Sequence, residues 1–112
     1  MEVLTRTNGR EMTLAISGDL DRHGAHGAMQ QIDHALDAAL PLSLTMDLSG
    51  VSFMDSSGIA VVLRAHRRMA ALGGSLIVTG VPAQARKVFD AAGVPRLSLI
   101  HISEPTRQEA IS

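Results

Sequence analysis

The feature that most constrains the fold is a repeated change between strand-type and helix-type apolar patterns along one short chain. In "PLSLTMDLSG", residues 41–50, the apolar residues alternate at every second position, whereas over residues 56–72 they recur at helical spacing. With the flanking segments, the predicted order is strand, strand, helix, strand, helix, strand, helix. Helices that join successive strands through short loops form right-handed crossovers. The sequence therefore predicts an α/β fold with a mixed, mostly parallel sheet of about four to five strands and helices packed on it.

Turn and cap residues mark the ends of these elements. Strands over residues 3–7 and 12–17 flank Asn8 and Gly9, a dipeptide typical of tight hairpin turns. The first helix is predicted over residues 25–40, because Pro41 cannot continue it. Ser49 and Gly50 predict a turn after the third strand. A last helix is predicted between Pro82 and Gly93.

Composition limits the classes of function. The chain has 112 residues, the size of one small domain, and its net charge of -1 provides no bulk attraction to nucleic acid or anionic membranes. The absence of cysteine excludes disulfides and thiolate metal sites. No apolar run approaches the roughly 20 residues that span a bilayer, and no signal segment opens the chain. We expect a cytoplasmic protein with neither a nucleic-acid nor a membrane partner.

The segment from Leu97 onward has a pattern of its own. "LSLIHISEPTR" resembles the translated constant part of a transposase-type sequencing adapter read through in frame. We therefore divide the chain into a domain over residues 1–96 and a non-native, adapter-derived tail over residues 97–112. On this interpretation the native last strand and final helix are missing, and no function is assigned beyond Arg96. The alternative is that "LSLIHI" is a genuine last strand, since its apolar residues also alternate.

The motif "DSSG", residues 55–58, lies where the strand period gives way to the helical one. The side chains of Asp55, Ser56 and Ser57 can accept hydrogen bonds from the unpaired N–H groups of a helix's first turn, which predicts an N-terminal cap. A phosphate at this place would be stabilised by the same amides and by the positive end of the helix dipole. Capping and a regulatory phosphorylation are therefore compatible.

Longer segments carry a family resemblance. "DLSGVSFMDSSGIAVVLRAHRRMAALGG" resembles the signature region of STAS-domain proteins, specifically the bacterial single-domain anti-sigma-factor antagonists. "ISGDLDRHGA" and "VTGVPAQARKVFDAAGV" are similar to the flanking segments of that family. The resemblance implies that Ser56 is phosphorylated by a cognate anti-sigma factor, which has a histidine-kinase-like ATPase fold and acts on serine. It also implies partner switching, in which the unphosphorylated form binds the anti-sigma factor, the phosphorylated form dissociates, and a PP2C-type phosphatase resets the cycle.

The resemblance assigns roles to neighbouring residues as well. Asp55 and Asp21, the latter in "GDLD", are expected to support the phosphosite through loop geometry and presentation to the kinase. The expected partner contacts follow the phosphoacceptor: Ser57, Gly58, Ile59 and Val61. No catalytic residue, metal or cofactor is expected, so the protein is interpreted as a non-enzymatic binding protein.

Other classes of function fit the residues less well. A serine hydrolase would carry GxSxG, which is absent around both serines. The spacing of His23, His26 and His34 matches no strong metal site. The basic run "RAHRR" at residues 64–68 is more typical of a solvated helix face than of a nucleic-acid patch.

The main alternative stays within the same fold. A STAS regulatory subunit of a lipid-transport ABC transporter would bind its partner constitutively and would use no serine switch. The serine at position 56 favours the switch. A stressosome-type scaffold and a sulfate-transporter tail are less well supported by a single short domain.

Overall fold

The strands and helices follow the predicted order through the third helix, after which the structure adds one short strand. The computed structural model describes residues 1–93 and 101–103. The strands are β1 (Glu2–Asn8), β2 (Glu11–Leu20), β3 (Ser43–Met54), β4 (Ser75–Thr79) and β5 (His101–Ser103), and the helices are α1 (Arg22–Ala39), α2 (Ser56–Ala71) and α3 (Ala83–Ala92). The sheet order is β1-β2-β3-β4-β5, with β1 antiparallel to β2 and every other pair parallel. The predicted α/β class and mostly parallel sheet are confirmed.

The opening hairpin is built on a two-residue turn. Asn8 pairs with Glu11, which leaves Gly9 and Arg10 as the turn residues. Gly9 has a φ of +63°, a left-handed conformation that glycine adopts without steric cost. The hairpin predicted from Asn8 and Gly9 is therefore confirmed, and it places β1 at the edge of the sheet.

One face of the sheet carries the core. From β2 to β5 the strand order advances in a single direction, so right-handed crossovers bring the connecting helices to the same face. Side chains from β2, β3, β4 and all three helices form one continuous buried cluster. Its largest fully buried members are Phe89, Leu14, Ile16, Leu20, Ile32, Leu36, Leu44, Met46, Leu48, Met54, Met69 and Leu76. The opposite face exposes Leu4 and Ile77.

The third strand is longer than its sequence pattern indicates. A turn was expected at Ser49 and Gly50, but β3 continues through both residues, so this prediction is wrong. Ala15 pairs with Asp47 while Ser17 pairs with Gly50, so β3 carries one extra residue there and forms a bulge. A Cβ on Gly50 would lie 2.8 Å from the Cβ of Ser17, so glycine permits this close pairing. The bulge thus accommodates Ser49 and Gly50 within the strand, where the sequence predicts a turn.

The first helix begins three residues earlier than expected, at Arg22 rather than residue 25. Its end agrees with the prediction, because Leu40 caps the helix in a left-handed conformation immediately before Pro41. The earlier start has a local cause in Asp21, whose side chain caps the helix. Helix α1 therefore starts directly at the end of β2.

Part of the predicted tail takes part in the sheet. The backbone of His101–Ser103 forms β5 and pairs in parallel with β4, Ile77 lying opposite His101. The predicted boundary at Arg96 lies outside the described residues, as does the remainder of residues 97–112. The structure therefore does not test the proposed adapter origin. The division at residue 96 therefore stays a prediction.

Candidate functional site

The candidate site lies at the carboxyl ends of β2 and β3. Leu20 pairs with Met54 at the last position of the parallel ladder, and each strand is followed at once by an aspartate, Asp21 or Asp55. Each aspartate in turn is the N-cap of a helix. Because parallel strands end at a common edge, the sheet brings the two predicted phosphosite-supporting residues to neighbouring positions.

Asp55 fixes the first turn of α2. Its Oδ1 accepts a hydrogen bond from the backbone N–H of Ser57 at 2.8 Å, and its carbonyl oxygen accepts one from Gly58 N at 3.0 Å. The predicted cap is confirmed, with Asp55 rather than a serine as the capping side chain. Ser56 is the first helical residue, and its side chain is exposed. Within residues 1–93 its hydroxyl has no hydrogen-bond partner, so it is accessible to another protein.

Asp21 has the same role at α1. Its Oδ1 accepts a hydrogen bond from Gly24 N at 2.8 Å. The helix starts so close to β2 that a Cβ on Gly24 would lie 2.1 Å from the carbonyl oxygen of Asp19. Asp21 therefore sets the geometry of the β2–α1 junction, beside the junction that carries Ser56.

The predicted partner contacts divide into two groups. Ser57 is half-buried and faces the space between α1 and α2. Gly58, Ile59 and Val61 are buried, Val61 with only 1% of its surface exposed. These three residues pack in the core, so their assignment to an exposed docking surface is corrected. Gly58 serves packing within the chain, because a Cβ there would lie 2.5 Å from Cγ of Met54.

Phe53 is an exposed aromatic residue that the sequence analysis did not single out. It leaves 42% of its surface exposed, three residues before Ser56, whereas Phe89, the other aromatic of the chain, is fully buried. A second register shift between Gly18 and Asp19 precedes the pairing of Asp19 with Phe53. Strict alternation therefore fails in this part of β3. The signal available in the sequence was the proximity of a rare aromatic to the serine pair.

Gln84 of α3 is a second residue that the sequence analysis missed. Its Oε1 accepts a hydrogen bond from Met54 N, and its Nε2 donates one to Met54 O, both at 2.8 Å. The two residues are 30 positions apart in sequence, and no local pattern links them. A third helix thus contacts the backbone immediately before Asp55.

An open groove of about 560 Å³ lies beside the serine pair, between the first turns of α1 and α2. Its lining combines cationic, imidazole and small apolar side chains: Arg22, His23, Ala25, His26, Met29, Ser57 and Ala60. Among the residues that the structure describes, no group of three His, Cys, Asp or Glu side chains is arranged to hold a metal ion.

Two arginines of the basic run, Arg64 and Arg68, form ion pairs with α1. Arg64 of α2 holds Asp33 of α1 through Nε and Nη2, the shortest distance being 2.6 Å, and Arg68 contacts both Asp33 and Asp37. The hydrogen bonds from Arg64 lower the pKa of Asp33, against an opposing effect of partial burial, and the positive charges of Arg64 and Arg68 lower it further. The Asp33 carboxylate raises the pKa of Arg64. This network joins α1 to α2 away from the serine pair.

The residues of the candidate site lie within a region that matches a known protein family. The family model described as "Mlab, STAS domain" matches residues 3–101. The chain belongs to the STAS domain family. The family resemblance carried by the "DSSG" region is thereby confirmed, and the strand order and helix placement described above are those of a STAS domain.

Several similar proteins are named as anti-sigma factor antagonists. This STAS domain is 31% identical over 94 residues to the Anti-sigma F factor antagonist of Lysinibacillus sphaericus, covering 84% of this chain and 78% of that protein. It superposes on the unphosphorylated anti-sigma factor antagonist SpoIIAA with a TM-score of 0.78 and 25% identity, covering 98% of this chain and 93% of that one. For the phosphorylated form of SpoIIAA, a Bacillus cell fate determinant, the TM-score is 0.71 at 25% identity, covering 98% and 96% of the two chains.

None of the helices within residues 1–93 combines the length and the apolar character that crossing a bilayer would require.

Proposed function

We propose that this STAS domain is an anti-sigma-factor antagonist whose binding to an anti-sigma factor is switched off by phosphorylation of Ser56. The relatives named as anti-sigma F factor antagonists support the partner class. The similarity to SpoIIAA, which is known in unphosphorylated and phosphorylated forms, supports control by phosphorylation. The observation that carries the proposal is the exposed hydroxyl of Ser56, placed by the Asp55 cap at the first residue of α2.

The position of Ser56 suits phosphoryl transfer from an external kinase. The Ser56 oxygen attacks the γ-phosphorus of ATP, the bond to the β–γ bridging oxygen breaks, and ADP leaves while the serine proton passes to a base of the kinase. This domain supplies only the acceptor and its rigid support, so we assign it no catalytic residue. Ser57 is the poorer acceptor, because it is half-buried in the groove between α1 and α2.

The charge of the product explains how binding would be lost. Phosphorylation adds about -1.5 to -2 charges at pH 7, at a surface that already holds Asp55 and Asp21. A partner surface that accepts a neutral hydroxyl must then desolvate a dianion, and nearby carboxylates repel it. About 3 kcal/mol of lost binding energy weakens an affinity more than a hundredfold. The switch therefore needs no change of fold.

The partner chemistry follows from this mechanism. We assign the kinase activity to the anti-sigma factor itself, with a histidine-kinase-like ATPase fold that acts on serine, and the reset to a PP2C-type phosphatase. The proposed partnership also assigns the protein to the cytoplasm, where sigma factors act. We expect Phe53 and Ser57, which remain accessible beside Ser56, to contribute to the docking surface.

A binding experiment separates switched binding from constitutive binding of the anti-sigma factor. Affinity for the cognate anti-sigma factor is measured by calorimetry for wild type, Ser56→Ala and Ser56→Asp. Ser75→Asp, at an exposed serine that begins β4, is the matched charge control. We expect Ser56→Ala to bind like wild type and Ser56→Asp to bind at least about tenfold more weakly. Equal affinity of Ser56→Asp and Ser56→Ala would contradict the switch and favour constitutive binding.

A further inference from the structure

The end of β3 extends well beyond the strand beside it. Pairing between β3 and β4 ends at Asp47 and Thr79, seven residues before Met54. Along a strand, the N–H and C=O groups of successive residues point to opposite sides. Asp55, the residue after Met54, directs its N–H towards Leu20 O of β2 at 3.4 Å. The N–H and C=O of Met54 therefore face the edge away from β2, where β4 no longer runs. Without another partner, both polar groups of a fully buried residue would lack hydrogen bonds.

Gln84 occupies this edge with the two groups that Met54 needs. Its amide oxygen accepts from Met54 N and its amide nitrogen donates to Met54 O, each at 2.8 Å. This arrangement replaces the missing strand with one side chain. Glutamine is suited to it because the side-chain amide has a donor and an acceptor on the same planar group. The helix that carries Gln84 is itself anchored, since Ala85 and Phe89 are fully buried.

We propose that Gln84 is a positioning residue, which holds the β3–α2 junction in place and thereby fixes the orientation in which Ser56 is presented. Met54 is one residue before the cap Asp55 and two residues before Ser56, so a shift of its peptide moves both. The contact also couples α3, through its exposed residue Gln84, to the backbone just before the site. The effect of Gln84 on presentation to the kinase rests on the proposed function, whereas its role in holding the β3–α2 junction does not.

The structural part is tested on the isolated protein by NMR-detected amide hydrogen exchange. Gln84→Ala removes both hydrogen bonds, and Gln84→Glu keeps the acceptor but replaces the donor. Gln31→Ala, on the exposed surface of α1, is the matched control. We expect Met54 N–H to exchange about tenfold faster in Gln84→Ala, with smaller acceleration in Gln84→Glu and none in the control. Unchanged exchange at Met54 in both Gln84 variants would overturn the proposal.

The consequence is tested by steady-state phosphorylation with the cognate anti-sigma factor and ATP. A positioning role predicts that Gln84→Ala lowers kcat about tenfold while KM changes less than about twofold, with partial recovery in Gln84→Glu. Faster exchange combined with unchanged kcat would overturn the positioning role. If wild type itself accepts no phosphate on Ser56, the proposed function fails, and the exchange result alone then decides whether Gln84 holds the junction.

Discussion

Oδ1 of Asp55 accepts a hydrogen bond from the backbone N–H of Ser57 at 2.8 Å, bridging over Ser56. The contact defines where α2 begins and leaves the intervening side chain exposed. Because the cap is supplied by the aspartate, the hydroxyl of Ser56 is not needed to stabilise the helix. The structural role and the proposed regulatory role of the "DSSG" motif are thus carried by different residues.

The first prediction concerns this cap. Asp55→Ala should lower the free energy of unfolding by about 1 kcal/mol, because the N–H of Ser57 loses its acceptor. Asp55→Asn should retain most of the stability, since asparagine is an equally good N-cap. Urea denaturation of both variants provides the measurement. If asparagine destabilised the protein as much as alanine, the carboxylate charge and not the capping hydrogen bond would be responsible.

The second prediction concerns two glycines of α1. A Cβ on Gly24 would lie 2.1 Å from the carbonyl oxygen of Asp19, whereas one on Gly27 would meet only the flexible end of Met1 at 3.3 Å. Gly24→Ala should therefore destabilise the protein by about 2 kcal/mol or more, through forced separation of α1 from β2. Gly27→Ala should stabilise it by about 0.5–1 kcal/mol, as is usual within a helix. Thermal unfolding of the pair tests this, and equal effects would contradict the close approach at Gly24.

The third prediction concerns the ion pairs between α1 and α2. Hydrogen bonds from Arg64 lower the pKa of Asp33 in the folded state, so this carboxylate stabilises the fold above its unfolded pKa of about 4. That stabilisation is lost as the pH falls through the folded pKa. At pH 7 Asp33→Asn should reduce stability by about 1 kcal/mol, and the difference from wild type should shrink below about pH 4.

The control for this network is Asp37→Asn, because Asp37 is more exposed and contacts Arg68 alone. It should cost less than Asp33→Asn at pH 7. Chemical denaturation from pH 3 to pH 7 measures both variants. A wild-type advantage over Asp33→Asn that persisted unchanged down to pH 3 would contradict the lowered pKa.

The fourth prediction concerns Phe53 as part of the docking surface. Phe53→Ala should weaken binding of the anti-sigma factor about tenfold, since exposed aromatics at an interface often contribute 1 kcal/mol or more. Leu42→Ala is the matched control, because Leu42 is 45% exposed and precedes the other end of β3. Calorimetric titration gives both affinities. Similar losses for the two variants would argue against a specific contact at Phe53.

Periodic parts of the fold could be predicted from the sequence. The order of elements, the hairpin at Gly9, the start of α2 at Ser56 and the mostly parallel sheet all follow from local patterns. The course of β3 could not be predicted, because Ser49 and Gly50 are typical of a turn in the local sequence. In the structure a bulge lets the strand continue through both residues. The start of α1 could not be predicted from apolar spacing, which begins only at residue 25, and Asp21 was expected to support the phosphosite rather than to cap a helix.

For the site, local sequence identified the cap and the exposed serine but not their surroundings. Whether Ile59 or Val61 faces a partner or the core depends on how α2 packs on the sheet, and the structure buries both. The contact between Gln84 and Met54 depends on where β4 ends relative to β3, which is a tertiary relationship across 30 residues. Motifs thus locate the chemistry, whereas packing decides which neighbours are available to it.

The most direct test of the account is phosphosite mapping by mass spectrometry after incubation with the cognate anti-sigma factor and ATP. Wild type and Ser57→Ala should each carry one phosphate on Ser56, and Ser56→Ala should carry none while still binding the partner. Phosphate on Ser57 in wild type, or an unmodified Ser56 after full turnover of the kinase, would contradict the central claim.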